Sequence, residues 1–125
     1  MKILLLTEEN YFGVFLEAEK VLQGGEVVAA PTDTVYGLLA RADDSKAVKK
    51  IFAIKRRMDN KPLSVFIKDI PTARKYAYIS DVKARFLEKV WPGKVTVIFH
   101  HKGKLAEELT GEKETIGIRI PDNKL

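Results

Sequence analysis

The chain has 125 residues, 46% of them hydrophobic and 31% charged, with a formal net charge of +5 and no cysteine. This length predicts one domain with its own core, and the lack of Cys excludes disulfides, thiolate chemistry and Cys-ligated zinc. No apolar run approaches the ~20 residues of a membrane-spanning helix, and residues 1–6 lack a signal-peptide pattern. We therefore expect a cytoplasmic protein without membrane contact, whose positive charge suits a nucleotide or RNA.

Apolar patterning predicts alternating strands and helices in the first half of the chain. The predicted elements are a strand over 3–6, a helix over 9–23 that ends at Gly24-Gly25, a buried strand over 27–30, and a helix to about residue 55 that starts at Asp43-Asp44-Ser45.

The second half continues this alternation with strands over 63–67, 95–99 and 115–120, helices over 71–78 and 80–90, and one helical turn over 106–109. Ser80 is the predicted N-cap of its helix, in which Val82, Phe86 and Val90 are expected to face the core. Interleaved elements of both kinds predict a single α/β domain with a mixed sheet.

A polar cluster, Thr32-Asp33-Thr34, follows the strand over 27–30, which is expected to end or become an edge at Pro31. In extended backbone, Thr32 and Thr34 point to one side and Asp33 to the other. Open α/β sheets bind ligands at such strand ends, although the same cluster would serve as a plain polar turn.

A basic stretch runs from Lys46 to Lys68, with eight Lys or Arg residues and one acid. Its first three lysines, 46, 49 and 50, are predicted to form a solvated helix face. Lys55 and Arg57 lie where the helix pattern breaks, and in extended backbone they point the same way and can hold one anion. Lys61 precedes a proline and extends the same surface.

Standard nucleotide-binding and catalytic motifs are absent from the sequence: there is no GxxxxGK, GxGxxG, HExxH or nucleophile elbow. His100-His101 is predicted to be an exposed strand end and not a metal site. We expect no residue to act as nucleophile or general base.

Five segments, in order, resemble successive motifs of the YrdC-like family, the threonylcarbamoyl-AMP synthases. They are PTDTVYGL at 31–38, KRR at 55–57, KPLSV at 61–65, WPGKVT at 91–96 and TIGIRIP at 115–121. The resemblance implies a twisted α/β sheet with helices around a positively charged cavity. It also implies nucleotidyl transfer, in which L-threonine, bicarbonate and ATP yield threonylcarbamoyl-AMP and pyrophosphate for threonylcarbamoyladenosine modification of tRNA.

The resemblance also implies roles for single residues. Thr32 and Thr34 would contact threonine, Arg119 its carboxylate, Lys55 and Arg57 the phosphate or carbamate, and Lys61 and Thr115 the nucleotide. Mg²⁺ would arrive with the ATP substrate, with no tightly bound cofactor and no metal site in the protein.

The chain departs from the family in two places. Phe66 stands where some members carry a His, and the family continues beyond the TIGIRIP motif with further strands and a Ser-x-Asn segment at the nucleotide. We therefore expect a C-terminally incomplete YrdC-like domain over 1–125, with little activity alone and a tendency to form a homodimer. Downstream tRNA threonylcarbamoyl-transfer proteins would use the product. The alternatives are a non-catalytic module for double-stranded RNA or tRNA, and a carbamoyl-transfer domain related to hydrogenase maturation.

Overall fold

The structure is a computed structural model that describes residues 3–4, 7, 9–55, 63–110 and 113–122. Its helices are α1 (Tyr11–Gln23), α2 (Ser45–Lys55), α3 (Ile70–Tyr76), α4 (Asp81–Val90) and α5 (Glu107–Thr110). Its strands are β1 (Val28–Pro31), β2 (Tyr36–Leu39), β3 (Val65–Phe66), β4 (Val97–His100) and β5 (Thr115–Arg119). This order confirms the predicted α/β class, and no helix in the described ranges is both long and apolar enough to cross a membrane.

The strands form two separate sheets. β5 is the central strand of a three-stranded mixed sheet, parallel to β3 and antiparallel to β4, in the order β3-β5-β4. β1 and β2 form an antiparallel hairpin, in which Ala30 faces Gly37 and Pro31 faces Tyr36. A mixed sheet was predicted, and it is confirmed for β3, β4 and β5.

The hairpin corrects the prediction of a buried strand over 27–30. β1 does end at Pro31, as proline chemistry predicts, but Ala29 is exposed and the other residues of β1 are only half-buried. The chain reverses within residues 32–35, where the N–H of Thr32 donates to the Val35 carbonyl at 3.1 Å. β1 therefore pairs with β2, a strand that we did not predict, and stays outside the main sheet.

The core lies on one face of the three-stranded sheet. Ile116 and Ile118 on β5 are 1% and 0% exposed, while Gly117 between them faces the other way, as strand alternation requires. The helices cover this face with Val48, Phe52, Ala73 and Leu87. The opposite face carries Phe66 and Arg119, which are paired in register, and Phe66 lines a cavity on that side.

Helix starts follow the predicted capping chemistry. The Ser80 hydroxyl accepts a hydrogen bond from the Lys83 N–H at 3.2 Å, and the Asp44 carboxylate accepts from the N–H groups of Lys46 and Ala47. Both N-cap predictions are confirmed, because capping depends only on residues within one turn of the helix start.

The predicted core face of α4 is wrong for two of its three residues. Val82 and Phe86 are 75% and 54% exposed, whereas Leu87 is fully buried and Val90 packs against the core. The helix turns its 84–87–90 face to the sheet, and Val82 and Phe86 lie beside that face. At the start of the chain, Ile3 and Leu4 form no strand, and Leu5 and Leu6 of the predicted strand lie outside the described residues.

Candidate functional site

A cavity of about 870 Å³ lies between the β1–β2 hairpin, α2, β3 and the residues that follow β5. Thr32 and Thr34 line it from the hairpin turn, Lys55 from the end of α2, and Ser64 and Phe66 from the β3 region. The structure therefore brings together three of the residues that the sequence singled out, Thr32, Thr34 and Lys55. They come from two segments more than twenty residues apart.

The hairpin turn fixes the two threonine hydroxyls. Thr32 Oγ1 donates to the Val35 carbonyl at 2.7 Å and accepts from the Thr34 N–H at 3.2 Å, and the two hydroxyl oxygens lie 2.9 Å apart. Since the Thr32 proton is directed at Val35, the hydroxyl of Thr34 is the donor between the two threonines. Thr34 Oγ1 then presents its lone pairs as an acceptor to a ligand in the cavity.

The backbone bends at residues 33–35, so the extended chain from which Asp33 was predicted to point away from the two threonines is not present there. Arg119 Nη1 donates to Asp33 Oδ1, and the Asp122 N–H donates to Asp33 Oδ2 at 2.8 Å. Both side chains of this ion pair are only 7% exposed. The Asp122 N–H, followed by the Arg119 guanidinium, lowers the pKa of the Asp33 carboxyl below its ordinary value.

Arg119 is held from two further directions. Its Nη1 also donates to the Gly93 carbonyl at 3.1 Å, and its guanidinium lies 4.6 Å from the centre of the Phe66 ring. Arg119 does not line the cavity, although the two residues after it, Ile120 and Pro121, do.

The charged side chains in the described lining of the cavity are basic. Arg41, Lys55 and Lys68 are part of the described lining, and that lining includes no Asp or Glu. Arg41 is paired with Asp43 through two hydrogen bonds of 3.0 and 2.9 Å, and this guanidinium lowers the pKa of the Asp43 carboxyl. Lys55 is the last residue of α2, where the helix dipole favours a positive charge.

The other predicted site residues do not line the cavity or lie outside the described residues. Thr115 begins β5, at the end away from Arg119, where it pairs with His100 and does not line the cavity. Arg57 and Lys61 lie outside the described residues. The predicted roles of Thr115, Arg119, Arg57 and Lys61 remain predictions.

Polar lining residues to which the sequence analysis gave no binding role include Arg41, Ser64 and Lys68. Ser64 belongs to the KPLSV motif, so the motif itself held a signal for it. Arg41 and Lys68 stand outside the motifs, and nothing local in the sequence singles them out.

A second cavity of about 870 Å³ lies near the far end of β4 and is lined by Tyr78, His100, His101 and acidic and basic side chains of residues 107–114. His101 is fully engaged, because Nδ1 accepts from the Gly103 N–H and Nε2 contacts the Lys113 carbonyl, both at 3.0 Å. In the part of the chain that the structure describes, no three His, Asp or Glu side chains cluster as metal ligands would.

Comparison with known proteins shows the family of this chain. The family model Sua5/YciO/YrdC, described as "Telomere recombination", matches residues 20–125. The chain belongs to the Sua5/YciO/YrdC family. It is 39% identical over 125 residues to a "Putative threonylcarbamoyl-AMP synthase" of Methanocaldococcus jannaschii, covering the whole chain and 59% of that relative. It is 42% identical over 111 residues to a threonylcarbamoyl-AMP synthase of Bacillus subtilis, covering 87% of the chain and 32% of the relative.

Solved Sua5/YciO/YrdC structures share the fold. P. abyssi Sua5 complexed with L-threonine gives a TM-score of 0.82 at 32% identity over 86% of this chain and 32% of that one. E. coli YciO gives 0.79 at 26% identity over 90% and 55%. A full-length HypF in its phosphate- and nucleotide-bound form gives 0.77 at 25% identity over 97% and 15%. This chain thus spans between about a seventh and three fifths of the proteins that it resembles.

Proposed function

We propose that this chain carries the threonine- and phosphate-binding part of a threonylcarbamoyl-AMP synthase. The observation that carries the proposal is the cavity itself, where two ordered hydroxyls and Lys55 face one space without an acidic residue in the described lining. Relatives named as this synthase, and a Sua5 structure with L-threonine, support it.

On the threonine side, we propose that Thr32 and Thr34 bind the substrate hydroxyl. Thr34 Oγ1 is directed as an acceptor, so the substrate O–H would be the donor between them. Phe66, which stands where some family members have a His, contributes an aromatic surface to the same wall.

On the phosphate side, we propose that Lys55 and Lys68 hold the polyphosphate or the carbamate, together with Arg57 and Lys61 from the adjoining segment. A cavity wall of this composition would be positively charged and would attract ATP and bicarbonate. The described lining offers no carboxylate to a metal ion, which fits Mg²⁺ being carried on the phosphates of ATP.

The proposed reaction needs little covalent help from the protein. Bicarbonate loses hydroxide to give carbon dioxide, which forms a C–N bond to the threonine amine; the amine proton lost in this step combines with the hydroxide as water. An oxygen of the resulting carbamate attacks the α-phosphorus of ATP, and the bond from that phosphorus to the leaving pyrophosphate breaks. The described lining contains no His, Cys, Asp or Glu that could share in this exchange. The protein would act by placing the two substrates in line and by neutralising the charge of the leaving pyrophosphate.

Pyrophosphate release tests the proposal. Residues 1–125, alone and fused to the part of the Methanocaldococcus jannaschii relative that the chain does not match, are supplied with ATP, L-threonine and bicarbonate. We expect the fusion to release pyrophosphate and to form threonylcarbamoyl-AMP, detected by mass, only when all three substrates are present. A fusion that folds and binds ATP but shows no dependence on threonine and bicarbonate would refute the proposal.

A further inference from the structure

Arg41 is a basic residue of the cavity wall that stands outside the five sequence motifs. It lies just after β2 and lines the same cavity as Thr34 and Lys55. Its side chain is 46% exposed, and its charge partner, Asp43, is 40% exposed. Asp43 does not belong to the described cavity lining, so its carboxylate approaches the guanidinium from a side other than the cavity.

We propose that Arg41 is a further phosphate-binding residue of the cavity, which holds the terminal phosphates of the nucleotide that leave as pyrophosphate. Asp43 is the positioning residue that orients the Arg41 guanidinium. The inference rests on the proposed function for the identity of the nucleotide, but binding of pyrophosphate at Arg41 is measured without threonine.

The first argument is the free edge of the guanidinium. Asp43 accepts from Nε of Arg41 at 3.0 Å and from Nη2 at 2.9 Å, so its carboxylate occupies one edge of the planar group. Within the part of the chain that the structure describes, Nη1 has no hydrogen-bond partner. The edge formed by Nη1 and Nη2 can therefore donate two parallel hydrogen bonds to phosphate oxygens.

The second argument is the fixed placement of Arg41. The Asp44 N–H donates to the Arg41 carbonyl at 3.3 Å, and the Ala106 N–H donates to the Ala42 carbonyl at 2.9 Å. These bonds hold the backbone, and Asp43 holds the guanidinium. A ligand therefore does not have to order a free side chain, which is a cost that otherwise weakens binding.

The third argument is the position of Arg41 relative to the threonine hydroxyls. Thr34 lies in the turn before β2, whereas Arg41 lies beyond the opposite end of that strand. In-line displacement places the leaving group on the side of the phosphorus opposite to the attacking oxygen. With the substrate threonine at Thr34, the leaving pyrophosphate extends away from the turn, toward the end of the cavity where Arg41 lies.

The separation of Arg41 and Lys55 suits a chain of phosphates. α2 starts at Ser45, shortly after Arg41, and ends at Lys55. A helix rises about 1.5 Å per residue, so about 15 Å separates the two ends of α2. Two long basic side chains that line one cavity from both ends of this helix can contact different phosphates of one nucleotide.

Calorimetry with the 125-residue chain tests the inference, with pyrophosphate, ATP and AMP as ligands. Arg41→Gln should weaken pyrophosphate and ATP binding about tenfold or more, as expected for the loss of hydrogen bonds between charged groups. AMP, which lacks the terminal phosphates, and L-threonine should bind as they do to wild type. Arg41→Lys should regain only part of the loss, because an ammonium cannot form the two-pronged contact of a guanidinium.

A double variant separates direct contact from the charge that Arg41 neutralises. Arg41→Gln leaves the Asp43 carboxylate unpaired, and that charge by itself repels phosphate. R41Q with D43N removes both charges, and its pyrophosphate affinity should stay low. The matched control is the ion pair of Arg74 and Asp81, which are 2.9 Å apart and outside the described cavity lining. R74Q with D81N should keep the wild-type affinity for pyrophosphate.

Melting temperatures verify that the variants are folded. Both ion pairs are partly exposed, and such pairs contribute little to stability, so all variants should melt close to wild type. Wild-type pyrophosphate affinity in R41Q, or recovery of affinity in R41Q with D43N, would overturn the inference. Full recovery in R41K would overturn the two-pronged contact. An equal loss for AMP and ATP would place Arg41 at the nucleoside or the α-phosphate and would also overturn the inference.

Failure of the inference and failure of the proposed function give different results. A wild-type chain that binds no L-threonine contradicts the proposed function, and the pyrophosphate affinities of the variants still decide the role of Arg41. A wild-type chain that binds L-threonine but no pyrophosphate overturns the inference.

Discussion

Thr34 is the residue by which the proposed site would distinguish threonine from amino acids without a hydroxyl. Its Oγ1 is oriented as an acceptor by the donor chain that runs through Thr32 to the Val35 carbonyl. An analogue without a hydroxyl, L-2-aminobutyrate, would leave this acceptor unpaired, and such mismatches can cost roughly 10⁴-fold. L-serine lacks only a methyl group, and its binding free energy should be weaker than that of threonine by about 1–3 kcal/mol. Competition against labelled L-threonine measures both, and equal affinity for threonine and 2-aminobutyrate would contradict the assignment.

Lys55 is expected to contribute to phosphate binding and not to the stability of the fold. It is exposed, it ends α2 and it lines the cavity, so Lys55→Ala should weaken pyrophosphate binding with a melting temperature close to wild type. Arg57→Ala, in the adjoining segment, should behave in the same way. Lys46→Ala provides the control, because Lys46 is an exposed lysine of the same helix that does not line the cavity. Equal loss of binding in K46A and K55A would point to a general charge effect.

Asp33 makes stability depend on pH in acid. Its folded-state pKa lies below the ordinary value of 3.8, so the ionised carboxylate is favoured in the folded protein. The resulting stabilisation is fully present above about pH 4 to 5 and is lost as the pH falls through the lowered pKa. The melting temperature should therefore fall more steeply between about pH 5 and pH 2.5 for wild type than for the double variant D33N/R119M. Parallel curves for the two proteins would contradict the role of the pair.

At the scale of elements, the turn after α4 supports the ion pair. Gly93 has φ of +156°, its N–H donates to the Ile120 carbonyl at 2.8 Å, and its carbonyl accepts from Arg119. A Cβ at this position would lie 3.1 Å from the Val90 carbonyl oxygen. Gly93→Ala should therefore destabilise the fold and weaken threonine binding, because the carbonyl that holds Arg119 must shift.

Gly13 supplies the contrasting substitution. It lies within α1, and an added Cβ would meet nothing within 4 Å. Gly13→Ala should stabilise the protein by about 0.5–1 kcal/mol, since alanine loses less backbone entropy in a helix. Denaturant unfolding of the two variants measures the difference, and stabilisation by G93A would show that the turn tolerates a side chain.

The elements that the sequence predicted well are those specified by local chemistry. Helix starts at Ser80 and near Asp44 follow from a side-chain oxygen that accepts from N–H groups two or three residues away. The motif order also indicated that Thr32, Thr34 and Lys55 belong together, and they share one cavity. What these features have in common is that neighbouring residues, or a recognisable segment, carry the information.

The sequence did not predict which strands and side chains pair when they lie far apart along the chain. Pairing of β1 with β2 rather than with the main sheet depends on the reversal at 32–35. A polar turn at these residues was considered, but the turn alone does not say which strand pairs with β1. The contact between Asp33 and Arg119 spans 86 residues, and each residue alone fits a polar turn or a substrate ligand. The prediction of the core face of α4 was wrong because Val82 and Phe86 have the helical spacing of a buried stripe but lie beside the stripe that is buried.

At the scale of the molecule, open apolar surface favours self-association. Ile98 on the edge strand β4 is 67% exposed, and Val35 and Tyr36 at the hairpin are 72% and 77% exposed. Unpaired strand edges and apolar patches invite contact with another chain. We predict that residues 1–125 form dimers or larger species in light scattering, and that Ile98→Lys shifts them toward monomer. A monomeric wild type at high concentration would contradict this prediction.

RNA binding without catalysis would draw on the exposed lysines of α2. Two of them already have acidic partners, since Lys50 contacts Glu26 at 2.8 Å and Lys49 contacts Glu108 at 3.5 Å. Direct binding of tRNA or double-stranded RNA should accordingly be weak and should fall steeply with salt. Tight binding at physiological ionic strength that falls steeply as salt is raised, in proportion to the phosphate contacts, would favour the RNA-binding module over the synthase.

Chemical-shift mapping on the 125-residue chain tests the central claim most directly. L-threonine is titrated first and pyrophosphate second, while the resonances of the residues that line each of the two cavities are followed. We predict that threonine shifts Thr32 and Thr34, that pyrophosphate shifts Lys55, and that neither ligand moves Tyr78 or His101 in the second cavity. Shifts confined to Tyr78 and His101, or no saturable shift at Thr32 and Thr34, would contradict a threonine site between the hairpin and the sheet.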